Sequence, residues 1–331
     1  MSSVIIIKDS FDDLAKALSF IALSRKKVCI VTDDNVSKLY LDAVLKSVEA
    51  LENRGFSFSV KPGERSKDLT TVCSLYDFLI ENKFGRDDAV VALGGGVVGD
   101  IAGYTASTFK RGLAFIQIPT TLLAQVDSAI GGKNGIDYKG VKNAIGTFCR
   151  PRLIYVNKTV LSSLPEEEIA NGKAELIKTG IISSNSFEPE IDDCIRFKKQ
   201  ITDEDPYDEG RRQILNFGHT IGHAIEAASD FSLKHGACVS LGMICACEIS
   251  AGRGMIGPEK TDELRSVLAG YGLPVKIRDI DHDRIVDLCA NDKKVRDGKS
   301  RFILLNGFGD PVIAEDVSEK EIRTALETIN E

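Results

Sequence analysis

The sequence lacks tryptophan altogether and has only three methionines and four histidines among its 331 residues. It also lacks a long apolar run, since no stretch reaches the roughly 20 apolar residues that cross a membrane. The formal charge of -7 argues against broad binding of nucleic acid or anionic membranes, because such binding needs a basic footprint over a whole face. We therefore expect a cytoplasmic protein with no nucleic-acid or membrane partner, in which any bound anion meets locally gathered cations.

Cysteine is present, but none of the eight cysteines belongs to a CxxC motif. Most of them lie in apolar surroundings such as VCIVTD and MICACEIS. This placement favours reduced core residues over disulfides or a zinc cluster. The eight are Cys29, Cys73, Cys149, Cys194, Cys238, Cys245, Cys247 and Cys289.

Hydrophobic periodicity divides the chain into two parts. The first alternates short β-branched runs with amphipathic stretches, which predicts a largely parallel α/β sheet. The predicted strands are VIII, KVCIVTD, FSFSV, AVVALGG, AFIQIP and LIYV, and the predicted helices lie near 12–25, 34–52, 67–83 and 97–108. After about residue 158 the predicted helices lie near 165–181, 187–203, 208–229, 235–252, 258–270 and 318–330, with a small hairpin at RFILLNGFGDPVI. We predict an α/β N-terminal nucleotide-binding domain over residues 1–157 and a mainly α-helical C-terminal domain over 158–331.

Three of the four histidines, His219, His223 and His235, fall within a short segment of the second domain. On a continuous helix over 208–229, Arg212 and Asn216 would join His219 and His223 in one polar stripe on an otherwise apolar surface. Such a stripe is typical of the wall of a site, because unpaired polar groups are costly in a core. The alternative is a set of satisfied core histidines with an ion pair to Glu226.

Two imidazoles four residues apart can bind one metal ion, as in the HExxH motif, but Thr220 replaces the glutamate of that motif. A metalloprotease is therefore disfavoured. The segment IANGKAELIKTGII provides a carboxylate, Glu175, with Lys178 one turn later. One glutamate with two histidines is typical of a catalytic metal site with open positions. The alternative for Glu175 and Lys178 is a surface ion pair between residues i and i+3.

A glycine-rich turn in the first domain, ALGGGVVGDIAGY, runs from a predicted strand into a predicted helix. Gly94, Gly96 and Gly99 satisfy GxGxxG, a pattern that brings backbone N–H groups close to a phosphate. The acidic residue expected about twenty positions later is absent, and the motif follows a late strand rather than the first. We expect a nucleotide-phosphate site of variant geometry, with a purely structural glycine turn as the alternative.

Cations are gathered around these motifs, although the chain is acidic. A substrate that carries phosphate and carboxylate groups would need such a set. Solvated lysines are the alternative for any one loop. The residues are Arg111, Lys133, Lys142, Lys178, Lys198, Arg212, Lys293 and Lys294.

Taken together, the motifs resemble those of the 3-dehydroquinate synthase family over nearly the whole chain. They are VTDDN, KPGERSK, GGGVVGDIAGYTASTFKRG, IPTTLLAQVDSAIGGKNGID, GVKNAIGTF, AELIK, LNFGHTIGHAIE, HGACVSLGM and NDKKV. The resemblance implies an NAD-binding α/β domain, a helical second domain, a site in the cleft between them and a homodimer. Asn134 departs from the family pattern, because many relatives carry threonine or valine in GGKNG.

The resemblance also implies roles for individual residues. The metal ligands, for zinc or cobalt, would be Glu175, His219 and His235. The NAD contacts would be Asp33, Asn35, Glu64, Lys67, Gly95, Gly96, Asp100, Thr120, Thr121, Asp127, Lys133, Lys142 and Ser163. The substrate contacts and catalytic groups would be Asp127, Lys133, Lys142, Asn143, Lys178, Lys198, Arg212, Asn216, His223 and one of Lys293 and Lys294, with Arg111 reaching the site of the neighbouring subunit.

The implied reaction converts 3-deoxy-D-arabino-heptulosonate 7-phosphate to 3-dehydroquinate and phosphate. NAD oxidises an alcohol transiently, phosphate is eliminated, the ketone is reduced again and an aldol step closes the ring. Two rivals are another sugar-phosphate cyclase, whose substrate has no carboxylate, and a metal-dependent polyol dehydrogenase. A third is a non-catalytic NAD-binding module. The joint presence of Lys198, Arg212, Asn216 and His223 favours a carboxylate-bearing substrate, which needs fixed donors.

Overall fold

The structure, a computed structural model, describes residues 2–230, 232–278, 281–295 and 301–331, with 291–295 described by their backbone alone. The chain divides into two compact units, Met1–Leu164 and Pro165–Glu331. The boundary that we predict after residue 157 lies at the end of the last strand of the first unit.

The first unit contains a six-stranded parallel sheet, which confirms the predicted fold class. Its strands in chain order are β1 Val4–Lys8, β2 Lys27–Asp33, β3 Arg54–Val60, β4 Ala89–Gly94, β5 Ala114–Pro119 and, after a hairpin formed by β6 Lys133–Tyr138 and β7 Val141–Phe148, β8 Leu153–Asn157. In space the order is β1-β8-β5-β4-β2-β3. Every residue of β4 and β5 is buried, as expected for central strands covered by helices on both faces.

Four helices cover the two faces of this sheet: α1 Leu14–Phe20, α2 Val36–Glu49, α3 Leu69–Glu81 and α4 Gly96–Thr108. Helices α1 and α2 contribute to one apolar cluster and α3 and α4 to the other. The chain therefore reverses its direction of travel across the sheet between β2 and β4. In open α/β sheets, ligands bind at the carboxyl ends of the strands beside such a reversal.

The β6–β7 hairpin is a feature that the sequence did not predict. Its strands pair antiparallel across a turn at Lys139 and Gly140. The side-chain amide of Asn134 donates to the carbonyl oxygens of Gly132 and Cys149, each at 3.0 Å. The same side chain contacts Gly103 of α4, where a Cβ atom would lie only 1.9 Å from Asn134 Oδ1. Asn134 thus attaches the base of the hairpin to α4.

The second unit is mainly helical and carries the predicted small hairpin. Its elements are α5 Glu166–Ser183, α6 Ile191–Glu204, α7 His219–Ala228, α8 His235–Gly252, α9 Glu259–Gly270, α10 His282–Val295, β9 Phe302–Leu305, β10 Pro311–Ala314 and α11 Glu319–Ile329. Helix α8 is the core around which α5, α7, α9 and α11 pack. By length and composition alone α8 could cross a membrane, but 72% of that segment is buried within the protein.

The predicted continuous helix over 208–229 is wrong. The chain instead forms a 3-10 helix at Arg211–Asn216, and α7 begins only at His219. Gly218 separates the two with a left-handed backbone, φ +76°, and Met243 of α8 fills the space where its side chain would lie. Consequently Arg212 and Asn216 do not share a helical stripe with the histidines.

The prediction for the cysteines is largely confirmed. All eight are free thiols, six are buried and Cys149 is half-buried. Cys73 is an exception, since it lies on the exposed side of α3, away from the buried Val72 and Leu75. Cys73 is therefore exposed although its neighbours along the helix are apolar, because it lies on the solvent face of an amphipathic helix.

Helices α7 and α8 cross at a point where three glycines meet. A Cβ atom on Gly242 would lie 1.9 Å from the carbonyl oxygen of Gly218 and 2.8 Å from the backbone nitrogen of Gly222. A Cβ atom on Gly222 would lie 2.9 Å from the carbonyl oxygen of Cys238. The two backbones are therefore in direct contact, and this contact sets how closely the histidines of α7 approach the start of α8.

We expect Gly242→Ala to lower the free energy of unfolding by about 3 kcal/mol, because the added methyl group meets backbone atoms that cannot move aside. The matched control is Gly252→Ala in the same helix, where a Cβ atom meets nothing within 4 Å. That change should be neutral or stabilise by about 0.5 kcal/mol. Urea denaturation followed by circular dichroism measures both, and equal effects of the two substitutions would contradict the close crossing.

Candidate active site

A buried ion pair on α5 is the first element of the site. Glu175 is 0% exposed and Lys178 is 2% exposed. The Lys178 ammonium lies 2.5 Å from Glu175 Oε2. The spacing of three residues places both groups on one face of α5, and that face is turned into the core. The alternative of a surface ion pair is therefore wrong.

The other oxygen of Glu175 faces two imidazole rings. Its Oε1 lies 3.2 Å from His219 Nε2, at the start of α7, and 3.2 Å from His235 Nε2, at the start of α8. One ligand atom from each of the three residues lies within 4.8 Å of the others. Burial raises the pKa of Glu175, but neighbouring groups, the Lys178 ammonium first among them, outweigh it and hold that pKa well below its usual range. The carboxylate is therefore ionised at neutral pH.

The tautomer of His219 leaves Nε2 as a lone-pair donor. Its Nδ1 lies 3.1 Å from the carbonyl oxygen of Phe217, which can only accept, so Nδ1 carries the proton in the neutral ring. Burial, followed by the charge of Lys178, lowers the pKa of His219 and keeps the ring neutral. A lone pair and a carboxylate oxygen at 3.2 Å repel each other unless a cation lies between them. The donor set therefore fits a divalent metal ion.

A second group of possible ligands shares one member with the first. One ligand atom from each of His223, Glu226 and His235 lies within 4.8 Å of the others. The rings of His219 and His223 are 5.1 Å apart, centre to centre. Desolvation by the surrounding protein lowers the pKa of His223 below its usual range, although the residue is exposed. We favour the set with Glu175, because both of its imidazoles contact the same fully buried carboxylate oxygen.

Buried cations accompany these ligands. Among the described residues of the second unit, the buried cationic side chains are Lys178, Lys198 and Arg212. Arg212 is held from both ends: its backbone N–H donates to Asp205 Oδ2 at 3.0 Å, and its Nη1 donates to the carbonyl oxygen of Pro206 at 2.9 Å. Helix α6, which carries Lys198, packs against both α5 and the 3-10 helix of Arg212, whose last residue is the half-buried Asn216. A positive and partly desolvated environment of this kind favours anions.

In the first unit, the predicted cofactor residues lie at the carboxyl ends of three neighbouring strands. Asp33 ends β2, and its Oδ1 accepts from the backbone N–H groups of Asn35 and Val36 at 2.8 and 3.0 Å. Gly95 follows β4, and the N–H of Thr120, after β5, donates to the carbonyl oxygen of Gly94 at 3.0 Å. These carboxyl ends lie beside the point in the sheet where the strand order reverses.

The glycine turn leaves polar atoms available beside the start of α4. A Cβ atom on Gly95 would lie 3.0 Å from Thr121, and one on Gly96 would lie 3.1 Å from Ser128 Oγ. The buried hydroxyls of Thr120 and Ser128 form no hydrogen bond within the described part of the chain. The predicted passage from strand through glycines into helix is confirmed, and these hydroxyls offer donors for a nucleotide phosphate. The motif IPTTLLAQVDSAIGGKNGID contains Ser128, but its residue pattern did not single out this serine, which lies in a short π-helix, Ala124–Ser128.

Lys67 and Asp100 form a buried pair near this turn. Lys67 Nζ lies 2.6 Å from Asp100 Oδ2 and 3.5 Å from Glu64 Oε1. Burial raises the pKa of Asp100 to about 6, while the Lys67 ammonium and the N–H of Gly135 oppose that rise. The pKa of Lys67 is raised, because its two carboxylate neighbours outweigh burial. Three predicted NAD contacts thus contact one another, and Gly135 joins them to the β6–β7 hairpin.

The remaining predicted residues are distributed over the first unit. Asp127 lies in the π-helix, Lys133 begins β6, and Lys142 and Asn143 lie on β7. The backbone N–H of Asn143 donates to Asp137 Oδ1 at 2.8 Å. Elsewhere in this unit, Arg111 is exposed and has a left-handed backbone conformation, φ +70°. The predicted Ser163 accepts a hydrogen bond at Oγ from the Tyr40 hydroxyl at 2.7 Å. In the second unit, the predicted Lys293 and Lys294 lie on α10, but their side chains lie outside the described residues.

Family models described as 3-dehydroquinate synthase N-terminal and C-terminal match residues 57–171 and 172–295. The chain is 38% identical to the 3-dehydroquinate synthase of Ruminiclostridium cellulolyticum over 326 residues, which covers 92% of this chain and 90% of the relative. A solved structure of 2-deoxy-scyllo-inosose synthase complexed with carbaglucose-6-phosphate, NAD+ and Co2+ is 26% identical, with a TM-score of 0.85 over 97% of this chain and 95% of that chain. The 2-epi-5-epi-valiolone synthase of Streptomyces hygroscopicus subsp. jinggangensis shares the fold at 24% identity, with a TM-score of 0.89 over 99% and 97% of the two chains.

We expect Lys67→Met to lower the free energy of unfolding by about 2 kcal/mol, because it leaves the Asp100 carboxylate buried without its cation. The double variant Lys67→Met/Asp100→Asn should recover most of that loss, since no unpaired charge remains. Lys61→Met serves as the control, because Lys61 forms an exposed pair with Asp34 and should matter by less than about 0.5 kcal/mol. Additive effects of the two substitutions in urea denaturation would show that the pair is not coupled.

Proposed function

The chain belongs to the 3-dehydroquinate synthase family, and on that premise we propose that it converts 3-deoxy-D-arabino-heptulosonate 7-phosphate to 3-dehydroquinate and phosphate. The observation that carries the proposal is the buried Glu175 carboxylate, whose Oε1 lies 3.2 Å from the Nε2 atoms of both His219 and His235. Buried cations accompany this carboxylate in the same unit. A metal-assisted reaction on an anionic substrate needs both features.

Glu175, His219 and His235 would hold a divalent metal ion, zinc or cobalt. When bound, such an ion acidifies a coordinated hydroxyl group and orients the substrate for hydride transfer. The Co2+ in the related 2-deoxy-scyllo-inosose synthase structure supports this assignment. Glutamate and imidazole ligands accept several divalent ions, so the donor set is compatible with either metal.

We propose that NAD binds at the reversal point of the parallel sheet. The N–H groups at the start of α4, behind Gly95 and Gly96, would receive the pyrophosphate. Asp33, whose Oδ1 is engaged with the start of α2, would offer its second oxygen to a ribose hydroxyl. The NAD+ in the related 2-deoxy-scyllo-inosose synthase structure supports the cofactor. The contacts of Asp127, Lys133, Lys142 and Ser163 with NAD stay predictions from the resemblance.

The substrate carries a phosphate and a carboxylate, and its proposed partners are the buried cations. Lys198 and Arg212 are held in place by α6 and the 3-10 helix, and Lys178 is fixed by its ion pair with Glu175. His223 is exposed at the open side of the site, and its ring offers one hydrogen-bond donor and one acceptor, which supports its proposed role beside the phosphate. A cyclase whose substrate lacks a carboxylate would not need all of these donors.

We also propose that the enzyme is a cytoplasmic homodimer in which Arg111 completes the site of the neighbouring subunit. The exposure of Arg111, together with its fixed left-handed backbone, supports a contact outside its own chain. The basic pair of Lys110 and Arg111 lies in the 3-10 helix Phe109–Arg111 that follows α4, so the glycine turn and this arginine belong to opposite ends of one helix.

The reaction itself is tested with the purified protein, its metal and NAD. We expect phosphate and dehydroquinate to form in equal amounts with no net change in nicotinamide absorbance, because NAD is regenerated in each cycle. Chelation should abolish turnover and added Co2+ or Zn2+ should restore it, while Glu175→Gln should lower kcat/KM by at least about a hundredfold. Turnover of sedoheptulose 7-phosphate alone, or NADH in proportion to product, would favour the rival cyclase or the polyol dehydrogenase.

The proposed role of Arg212 in binding the anionic substrate is tested by comparing substitutions at Arg212 and at its neighbour Arg211. We expect Arg212→Met to lower kcat/KM about a hundredfold, because a buried cation that meets the substrate carboxylate or phosphate is lost. Arg211→Met is the matched control, since Arg211 is exposed and its guanidinium pairs with Glu204. Steady-state kinetics should show little change for the control. Similar kinetics for the two variants would exclude Arg212 from the substrate site.

A further inference from the structure

Helix α8 begins without a cap of its own. Its N-cap residue is Lys234, whose side chain is a donor and cannot accept a hydrogen bond from the first turn. The first turn contains no acidic residue, and a lysine beside the positive end of the helix dipole is unfavourable. The free N–H groups of this turn therefore need acceptors from outside the helix. His235, a proposed metal ligand, is the first residue of this turn.

Helix α5 provides the hydrogen-bond acceptor and the acidic group that the start of α8 lacks. Asn171 Oδ1 accepts a hydrogen bond from the backbone N–H of Gly236 at 2.6 Å, and Glu168 Oε1 lies 2.7 Å from the Lys234 ammonium. One turn further, Glu175 Oε1 lies 3.2 Å from His235 Nε2. Glu168, Asn171 and Glu175 are spaced three and then four residues apart, so they share one face of α5. That face contacts three consecutive residues at the start of α8.

The contact between Asn171 and Gly236 is also the closest approach of the two backbones at this point. A Cβ atom on Gly236 would lie 2.4 Å from the carbonyl oxygen of Asn171 and 2.8 Å from its Cα atom. The glycine therefore brings its N–H within reach of the Asn171 amide. The position of the residue next to His235 is consequently determined by its contact with α5.

We propose that Asn171 is a positioning residue that caps α8 from the neighbouring helix and thereby sets the distance from His235 Nε2 to Glu175 Oε1. The inference rests on the proposed function, because it assigns the geometry of the proposed metal centre to a residue that contacts neither metal nor substrate. Without the cap, the first turn of α8 frays, and metal binding must order it again. The affinity of the apoprotein for the metal falls by that ordering cost.

The test is a titration of the full-length apoprotein with Co2+, followed by the absorption of the bound ion. Asn171→Ala, which removes the acceptor, should raise the Kd for Co2+ at least about tenfold. Asn171→Asp keeps an oxygen of the same reach and should restore the affinity to within about threefold. Glu168→Gln is the matched control on the same face, since it weakens the Lys234 pair and leaves the cap of Gly236 intact.

A merely structural role would lower the Tm of Asn171→Ala and leave its Kd for Co2+ at the wild-type value, and that result would overturn the proposal. So would equal Kd changes in Asn171→Ala and Asn171→Asp. If the alanine variant does not fold, Asn171→Gln carries the comparison, because its amide is too long for the 2.6 Å contact and the Kd should rise. Failure of the wild-type apoprotein to bind Co2+ would instead remove the metal centre, and this inference with it.

Discussion

A carboxylate held away from water is the constraint that organises the second unit. Glu175 lies in the middle of α5 and is fully buried, and burial of an ion costs several kcal/mol unless other charges compensate it. Lys178 compensates one oxygen through the ion pair at Oε2. The other oxygen faces two imidazoles, of which His219 has a lowered pKa and supplies no positive charge at neutral pH. A divalent cation at Oε1 would complete it, so the folded protein favours the metal-bound state.

The helices meet this constraint through glycines rather than through large side chains. Gly218, Gly222 and Gly242 let α7 and α8 touch backbone to backbone, and Gly236 does the same for α8 and α5. Each contact lies within a few residues of a proposed ligand. These backbone contacts allow the three donor atoms to lie within 4.8 Å of one another. A change in any of these glycines would act on the metal centre through helix spacing.

The same reasoning shows where sequence patterns succeed and where they fail. Central parallel strands must be apolar on both faces, so the sequence predicts the strands AVVALG and AFIQIP correctly. It also predicts α8 correctly, including its start at His235. The predicted helix over 208–229 is wrong because periodicity treats Gly218 as one more helical position. In the structure Gly218 has a left-handed conformation and packs against Met243. The β6–β7 hairpin escaped notice because its glycines and short strands resemble a loop. Whether Glu175 faces solvent or the core is likewise a tertiary property that its spacing from Lys178 does not contain.

The sign of the charge in a pocket does not follow from the net charge of the chain. The sequence carries 49 acidic and 42 basic side chains, yet among the described residues the buried cations include Lys178, Lys198 and Arg212 in the second unit. Charges in water are screened within about 8 to 10 Å at ordinary ionic strength, whereas buried ones are screened much less. The acidic surface therefore contributes little to the potential around buried groups, where Lys178, Lys198 and Arg212 carry positive charge. An acidic enzyme can in this way bind a doubly anionic substrate selectively while its exterior repels nucleic acid and other polyanions.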